Sequence, residues 1–460
     1  MKIPLHSITS FWHNLQRTLG PARLLVVSFA GAILFATFLL MLPQAAQNEP
    51  VGFIDALFTI TSATCVTGLT VVDTGTTFSQ FGQIIILVMI QLGGLGVMTF
   101  STFFIYLLGG RLSLSSRDML QETLSQVPMK NLKDLLKTVF LATFLIEAVG
   151  AIILTLRWSR ELPLAKAMYY GVFHAVSAFC NAGFALFPNS LETYSGDFTV
   201  NFTITTLIIL GGLGFVVIFE LAHKRRARVR RLSLHSQLVL LMSGLLIFGG
   251  MILILIFEYG NTLKHLPWSA RMWTSYFQSV TARTAGYNTL NIGALTDASL
   301  FLLIMLMFIG ASPGSCGGGI KTTTFAILLS VIKARFHNLV DANLRKRRIP
   351  EETSSKAIAI SFFSATLIML FTFLLVIVET RLVSHQESRG LFLEMLFEVT
   401  SAFGTVGLTA GVTPKLSDVS RLLITLVMFI GRLGPLTVAI AVGGEKKALF
   451  KYAQENVLVG

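Results

Sequence analysis

The chain has 460 residues, of which 53% are hydrophobic and only 13% are charged. An ordinary soluble domain carries about 25% charged residues, so the composition excludes that class. The formal net charge of +13 would suggest a nucleic-acid partner for a soluble protein. Here the basic residues lie in short loops between apolar runs of about 20 residues, each long enough to cross a lipid bilayer. We therefore expect an all-α polytopic membrane protein with no nucleic-acid partner.

Five basic segments divide the chain, and the positive-inside rule places all of them in the cytoplasm. They are the N-terminal segment, a lysine-rich segment at 130–137, "HKRRARVRR" at 223–231, "RKRR" at 345–348 and the C-terminal tail. Two crossings between each consecutive pair give eight transmembrane helices with both termini cytoplasmic. The expected location is the plasma (inner) membrane, which the chain crosses several times.

Four copies of one pattern follow each other along the chain. They contain "FTITSATCVTGLT", "FHAVSAFCNAGFA", "YFQSVTARTAGYNT" and "FEVTSAFGTVGLT", each with an aromatic residue ten positions before a glycine. These glycines are Gly68, Gly183, Gly286 and Gly407. A second shared glycine follows in the next apolar run, at Gly93, Gly211, Gly310 and Gly431. Each copy therefore predicts a span, a short pore-type helix, an irregular glycine turn and a second span.

The copies define the predicted organisation of the chain. A cytoplasmic N-terminus is expected at 1–22 and a cytoplasmic C-terminal tail at 444–460. The four pore repeats are expected at 23–105, 135–222, 236–334 and 356–443.

Glycine coils at membrane depth indicate a pore. Lipid cannot satisfy their backbone groups, so such coils occur only where they line a water-filled path or are buried in protein. Four coils around a pseudo-fourfold axis would present carbonyl oxygens that can replace the hydration shell of a monovalent cation. Close helix packing would explain a single glycine motif, but four copies at one offset favour a central pore. The candidate selectivity-filter residues are Thr64, Cys65, Val66, Thr67, Gly68, Phe179, Cys180, Asn181, Ala182, Gly183, Thr284, Ala285, Gly286, Gly404, Thr405, Val406 and Gly407.

Side-chain charge near these coils is sparse. The only acid between an aromatic residue and its glycine is Glu398, at the helical start of the fourth segment. A divalent-cation pore usually has a ring of carboxylates, so backbone coordination of a large monovalent ion fits better. Arg283 is expected to lie outside the ion path and to brace its loop by hydrogen bonds.

The motifs together resemble the membrane subunit of Ktr-type potassium uptake systems, in the superfamily of the Trk proteins and the plant HKT transporters. The resemblance rests on "TCVTGLTVVDT", "ARTAGYNT", "GASPGSCGGGIKTTT" and "GRLGPLT" and covers nearly the whole chain. About 22 residues precede the first span, which matches the Ktr branch.

The resemblance implies potassium uptake through one pore per subunit, a homodimer and a KtrA-like cytosolic ring of nucleotide-binding regulatory subunits. It implies no cofactor in this chain, with K⁺ as the transported ion. The family's filter glycines map onto the four glycines already named. Serine at the first of them is associated with sodium preference in the superfamily, so Gly68 favours potassium.

The third repeat carries "GASPGSCGGGIKTTT" inside a span. The stretch from Ser299 to Ile332 has 34 residues. As a straight helix it would be about 51 Å long, against about 30 Å of hydrocarbon, so it must break. We interpret residues 310–324 as an intramembrane gate loop; a static kink would need one proline, not five glycines. The candidate gate residues are Gly310, Ala311, Ser312, Pro313, Gly314, Ser315, Cys316, Gly317, Gly318, Gly319, Lys321 and Arg432.

Three charged residues at membrane depth need partners. Arg432 replaces a small residue of the other repeats and is expected to meet the gate loop, with a structural ion pair or hydrogen bonds to carbonyls as the compatible alternative. Lys321 either acts in the gate or only anchors the loop at the cytoplasmic face. Glu147 is at least as consistent with a buried hydrogen bond to a neighbouring helix as with transport.

Two short matches to enzyme motifs have the wrong context. "GASPG" fits G-x-S-x-G, and "GSCGGGIKT" nearly fits a phosphate-binding loop, but both interrupt a membrane span. The three cysteines Cys65, Cys180 and Cys316 have neither disulfide nor metal-ligand spacing. An enzyme is therefore not expected.

Two rival transport functions stay open. A sodium- or proton-coupled potassium symporter is one, although many such proteins use inverted repeats and the units here all point the same way. The other is a pore that passes sodium nearly as well as potassium. Sodium could also act as an activator.

Overall fold

A computed structural model of the chain describes residues 21–96, 132–224, 232–339, 341–381, 384, 388 and 390–443. The expected N-terminal segment up to residue 20, the end of the first repeat at 97–105, the basic residues 225–231 and the tail at 444–460 lie outside the described residues.

The described part of the chain is almost entirely helical, with one two-stranded hairpin. The α-helices are α1 (Pro21–Leu40), α2 (Phe53–Thr64), α3 (Thr74–Thr77), α4 (Gln80–Leu95), α5 (Leu132–Trp158), α6 (Leu164–Phe179), α7 (Phe198–Leu213), α8 (Phe215–Lys224), α9 (Leu234–Glu258), α10 (Trp268–Thr281), α11 (Asp297–Phe308), α12 (Thr322–Phe336), α13 (Glu351–Thr380), α14 (Leu391–Gly404), α15 (Asp418–Leu433) and α16 (Pro435–Gly443). Strands β1 (Asn343–Leu344) and β2 (Arg347–Arg348) pair antiparallel. Short 3₁₀ turns occupy Pro43–Ala45, Glu192–Tyr194, Ile292–Ala294 and Thr413–Lys415.

Each of the four units has the same succession of helices. A long apolar helix (α1, α5, α9 or α13) is followed by a short one (α2, α6, α10 or α14) and then by a second apolar helix (α4, α7, α11 or α15). The long helices expose apolar side chains such as Phe35 and Phe362. The C-terminal halves of the short helices are buried, from Phe58 to Thr64 in the first unit. The predicted fold class, an all-α protein of span–short helix–span repeats, is confirmed.

The second helices bend sharply where their apolar runs contain glycine. α7 and α8 meet at 100°, and α15 and α16 meet at 96°. The joints are Gly214 and Gly434, with φ of +92° and +85°, and Gly96 adopts +81° directly after α4. Side chains rarely adopt this conformation, so glycine is required. The sequence predicts a break only in the third unit, because the hydropathy of the other apolar runs is continuous.

These bends affect the number of spans. Four described helices, α1, α5, α9 and α13, are long and apolar enough to cross a membrane alone, and the two bent pairs raise the number to six. Helices α4 and α11 are apolar but shorter. The expected total of eight spans therefore stays a prediction.

Polar contacts hold the two main helices of every unit together at one end. The first residue before each second helix caps it: Ser79, Asp197, Thr296 and Ser417 accept a bond from the helix's first turn. Each capping residue also contacts the end of its unit's first helix or the turn after it. The contacts are Ser79 Oγ to the Gln44 carbonyl at 2.5 Å, Arg157 to Asp197 at 2.5 Å, Thr296 to Glu258 at 2.8 Å and Ser417 to Glu379 at 2.7 Å.

The second unit extends this contact into its loop. Arg157 also pairs with Glu161 at 2.7 Å, and the Tyr194 hydroxyl donates to the same carboxylate at 2.9 Å. These contacts hold the pKa of the Glu161 carboxyl below its usual value. The capping end of the unit is thus fixed by charge as well as by packing.

Replacing Glu258 with alanine tests the importance of this capping contact. The Glu258 side chain is buried and accepts bonds from Thr262, Asn261 and both donors of Thr296. Donors left unpaired cost about 1–3 kcal/mol each, so Glu258→Ala should lower the melting temperature of the purified protein by several degrees. Glu49→Ala, at an exposed turn, is the control and should leave it unchanged. Equal melting temperatures for both variants would contradict a structural role for this carboxylate.

Candidate ion pathway

The four short helices end close to the four shared glycines. Helices α2, α6, α10 and α14 end at Thr64, Phe179, Thr281 and Gly404, three to five residues before those glycines. A helix C-terminus carries a partial negative charge from its free carbonyls. The arrangement therefore brings four negative helix ends to the coils that follow them.

The shared glycines form a closed ring. All four have φ between +71° and +94°. A Cβ built on each would collide with the carbonyl oxygen of the residue before the glycine of the next unit. The pairs are Gly68 with Ala182, Gly183 with Ala285, Gly286 with Val406, and Gly407 with Thr67. The order runs from the first unit to the fourth and back to the first, so the units surround a common axis.

The residues two positions before the glycines share an unusual backbone. Val66, Asn181, Thr284 and Thr405 have φ of +57°, +60°, +73° and +48°. A left-handed conformation costs roughly 1–2 kcal/mol in a side-chain residue, so neighbouring contacts must hold these loops. Ser62 and Ser401 do so by accepting bonds from the Gly68 and Gly407 amides at 3.0 and 3.1 Å.

Every predicted filter residue lies in or next to this ring and is buried. From the short-helix end towards the glycine these are Thr64, Cys65, Val66 and Thr67 in the first unit; Phe179, Cys180, Asn181 and Ala182 in the second; Thr284 and Ala285 in the third; and Gly404, Thr405 and Val406 in the fourth. The hydroxyl of Thr67 is buried and has no hydrogen-bond partner among the described residues.

The second set of shared glycines packs directly on the coils. A Cβ at Gly93, Gly211 or Gly431 would collide with the carbonyl oxygen of Thr64, Phe179 or Phe403 respectively. Each second helix thus lies against the end of the short helix in its own unit. In the third unit, Gly310 meets the Gly318 carbonyl instead. The third unit departs from the fourfold pattern at this point.

The third unit departs from the fourfold pattern in the loop between α11 and α12. It is held to the second unit by the Ser312 and Cys316 amides, which donate to the Gly212 and Gly211 carbonyls at 3.1 and 3.2 Å. The Phe215 amide donates to the Gly314 carbonyl at 2.9 Å. The remaining loop residues, Gly310, Ala311, Pro313, Ser315 and Gly319, connect these points.

Two glycines bring the loop against the coils of the ring. A Cβ at Gly317 would collide with the Thr284 hydroxyl, and one at Gly318 with the Thr405 hydroxyl. The Gly318 amide donates to Thr405 Oγ1 at 3.0 Å. The loop therefore lies across the ring at the residues that precede the shared glycines.

Two cations hold the same loop. Arg432, on α15, donates to the carbonyls of Cys316 and Gly93. Lys321 folds back, and its Nζ donates to the Gly317 carbonyl at 2.6 Å. Three units thus meet at Arg432, and Lys321 lies inside the loop's own hydrogen-bond network.

Two other charged residues singled out in the sequence, Arg283 and Glu398, lie beside the ring. Arg283 is buried and donates to Ser243 Oγ on α9 at 3.2 Å, so it joins its loop to the first helix of the third unit. Glu398 is buried and accepts bonds from Thr409, Ala410 and Thr413 after the fourth coil.

One further cluster consists of polar side chains that are far apart in the sequence. Gln91 on α4 donates to the buried Glu147 carboxylate at 3.4 Å, and the Cys180 thiol lies 3.6 Å from Gln91 Oε1. Cys65, Cys180 and Cys316 are free and buried in the coils and the loop. Sequence spacing gave no indication of the contact between Gln91 and Glu147, because the two residues belong to different repeats.

Four similar helical units around a ring of backbone groups, with apolar helices long enough to cross a bilayer, are those of an integral membrane protein. The chain belongs to the TrkH family, described as cation transport proteins, whose model matches residues 24–452. The resemblance found in the motifs is thereby confirmed, and the chain belongs among transport proteins rather than enzymes.

The relatives cover nearly the whole chain. It is 40% identical to the Ktr system potassium uptake protein B of Bacillus subtilis, over 96% of this chain and 97% of that protein. It is 37% identical to the potassium/sodium uptake protein NtpJ of Enterococcus hirae, over 97% and 99%. The crystal structure of the potassium transporter TrkH from Vibrio parahaemolyticus has the same fold, with a TM-score of 0.68, 18% identity, and coverage of 90% of this chain and 84% of that one.

Substituting one ring glycine tests the packing of the ring. A Cβ at Gly286 would lie 2.5 Å from the Val406 carbonyl oxygen, at a φ that side chains rarely adopt. We expect Gly286→Ala to lower the melting temperature by several degrees and reduce the yield of monodisperse protein. Gly244→Ala, on α9 with nothing within 4 Å of its Cβ, should be neutral or slightly stabilising. Tolerance of both substitutions would contradict the tight ring.

Proposed function

We propose that the chain is the potassium-conducting membrane subunit of a regulated K⁺ uptake system. The observation that carries the proposal is the closed ring, in which four glycines each lie against the carbonyl before the next. The family and the potassium uptake named for its relatives support the same function.

The ring suits a weakly hydrated monovalent cation. Carbonyl oxygens of the residues before the glycines replace the hydration shell of K⁺, and the short-helix ends add negative potential. Glu398, the only acid between an aromatic residue and its glycine in the four repeated segments, accepts bonds from its own loop. Conduction therefore depends on backbone geometry, with the unpaired Thr67 hydroxyl as an additional ligand.

The loop between α11 and α12 is the gate. It rests on Thr284 and Thr405, so an ion leaving the ring meets it directly. Arg432 and Lys321 place two positive charges beside the path and hold the loop by its carbonyls. Opening requires these carbonyl contacts to break together.

The proposed assembly is suggested by the kind of uptake system to which the Bacillus relative belongs. The name of the Bacillus relative describes a Ktr system, and such a system has further subunits. We propose a homodimer in the plasma membrane, with both termini cytoplasmic and a cytosolic nucleotide-binding ring that moves the gate loop. Sodium acts as a regulator rather than as a coupled substrate.

The second candidate function is a pathway that also carries sodium, either as a co-transported ion or as a permeant one. The observation that favours it is the potassium/sodium uptake named for the Enterococcus relative at 37% identity. Both candidates share the same ring and differ in what drives or selects the ion.

Flux measurement separates the two candidates. We expect liposomes carrying the purified chain to take up K⁺ under a K⁺ gradient alone, without sodium or proton gradients. Deleting residues 312–320 should raise this flux several-fold because it removes the loop from the path. Arg432→Gln, which loses both carbonyl contacts, is the milder variant for use if the deletion does not fold, and Lys415→Gln is the matched control. Flux that appears only with a sodium or proton gradient would reject the gated pore and make the loop a hinge.

The first ring glycine tests selectivity. A Cβ at Gly68 would lie 2.5 Å from the Ala182 carbonyl oxygen, so Gly68→Ser must displace a ligand of the ring. We expect the K⁺/Na⁺ permeability ratio to fall about tenfold, equivalent to roughly 1.4 kcal/mol of lost discrimination. Gly52→Ser, where a Cβ meets nothing within 4 Å, should not change it. An unaltered ratio in Gly68→Ser would separate selectivity from this carbonyl.

A further inference from the structure

The connection between α12 and α13 is a compact basic hairpin. Its strands pair Asn343 with Arg348 and Leu344 with Arg347. Its turn is formed by Arg345 and Lys346, with φ of +46° and +64°. Two-residue turns with both φ values positive usually carry Asn-Gly. An Arg-Lys pair there accepts an unfavourable backbone to hold two cations at the tip, and strain of this kind is often found at functional positions.

The hairpin is fixed to the helices around it. Ser330 Oγ on α12 donates to the Asn343 carbonyl at 3.0 Å. Arg345 donates to Gln237 on α9 at 2.6 Å, and Arg348 pairs with Asp341 at 2.9 Å. The hairpin therefore presents its remaining side chains in a defined direction.

Two of its cations are left without a partner. Lys346 and Arg347 are exposed, and neither has an ion pair or a hydrogen bond to its side chain within the described part of the chain. Lys333 and Arg335 are exposed at the nearby end of α12. From Lys333 to Arg348 six Lys and Arg residues face one acid, Asp341. The surface thus carries an excess of positive charge that can attract an anionic partner.

An exposed apolar stripe leads to these cations. Leu329, Ile332 and Phe336 lie on one face of α12 and are 45%, 51% and 83% exposed, and Leu339 follows at 52%. Apolar side chains that give way to Lys and Arg along one helix are typical of a membrane–water interface. A soluble acidic protein would satisfy the charges but would leave this stripe uncovered.

We propose that the hairpin and the end of α12 bind the headgroups of anionic phospholipids, with Lys346 and Arg347 contacting the phosphates and the α12 stripe contacting the acyl chains. α12 begins at Thr322, directly after Lys321, so the bound lipid holds the helix that leaves the gate loop. The effect on the gate rests on the proposed function; lipid binding itself does not.

Native mass spectrometry of the full chain tests the site, with phosphatidylglycerol and phosphatidylcholine of equal acyl chains as probes. Wild type should retain phosphatidylglycerol preferentially. K346Q/R347Q, which spares the contacts of Arg345 and Arg348, should weaken that binding roughly 30-fold, as expected at about 1 kcal/mol per charge. K346R/R347K keeps the charge and should bind like wild type. K264Q/K415Q, in two loops between the helices of a repeat, is the matched control and should also bind like wild type.

Several outcomes would overturn the proposal. Equal retention of the two lipids, or unchanged phosphatidylglycerol binding in K346Q/R347Q, removes the lipid site. Displacement of the lipid by equimolar inorganic phosphate would assign the cations to a free anion instead. Poly-glutamate serves as a probe for an acidic protein partner. If K346Q/R347Q lost poly-glutamate binding but kept the preference for phosphatidylglycerol, the hairpin would be a protein-docking surface instead. Because these readouts involve no ion flux, a failure of the proposed conduction would not affect them.

Discussion

The absence of a side chain at four positions is the constraint on which the structure depends. At each ring glycine the backbone of the next unit occupies the volume that a Cβ would need. The same close approach recurs at Gly93, Gly211 and Gly431, where each second helix packs on the end of a short helix. Backbone packed this closely is shielded from lipid, which otherwise forbids coil at membrane depth. Because the polar backbone is shielded inside, the surrounding long helices need only present apolar side chains to the lipid.

Symmetry is broken in one place, and the candidate gate lies there. The second and fourth units bend at a single glycine after the second helix, and Gly96 in the first has the same positive φ, whereas the third unit has the whole loop between α11 and α12 at this place. The loop contacts the second unit through backbone bonds and the fourth through Thr405 and Arg432, and Arg432 also bonds to Gly93 of the first unit. A segment linked in this way to the other three units is well placed to respond to movement in any of them.

Features that repeat locally were predictable from the sequence, whereas features that depend on contacts between distant residues were not. The aromatic–glycine spacing located all four coils because one residue type at one offset serves the same purpose four times. The long third run predicted its own interruption from length alone. The bends at Gly214 and Gly434 and the positive φ of Gly96 could not be predicted, because hydropathy does not report backbone dihedral angles. The sequence predicted that Arg432 meets the loop, but not that it also bonds to Gly93, nor that Arg283 contacts Ser243, because these contacts join residues that are far apart in the sequence. Gln91, Glu147 and Cys180 come together for the same reason.

The contact between the fourth unit and the first has a consequence for how the protein is made. Gly407 lies against Thr67, Arg421 pairs with Asp55 at 2.8 Å, and Arg23 on α1 donates to the Ala441 carbonyl on α16 at 2.7 Å. The circle can close only after nearly the whole chain has left the ribosome. Until then the coil of the first unit lacks its contact with the fourth unit and is uncovered on that side. Synthesis therefore passes through an open, incomplete ring, the stage at which chaperones and insertion machinery have the most surface to protect.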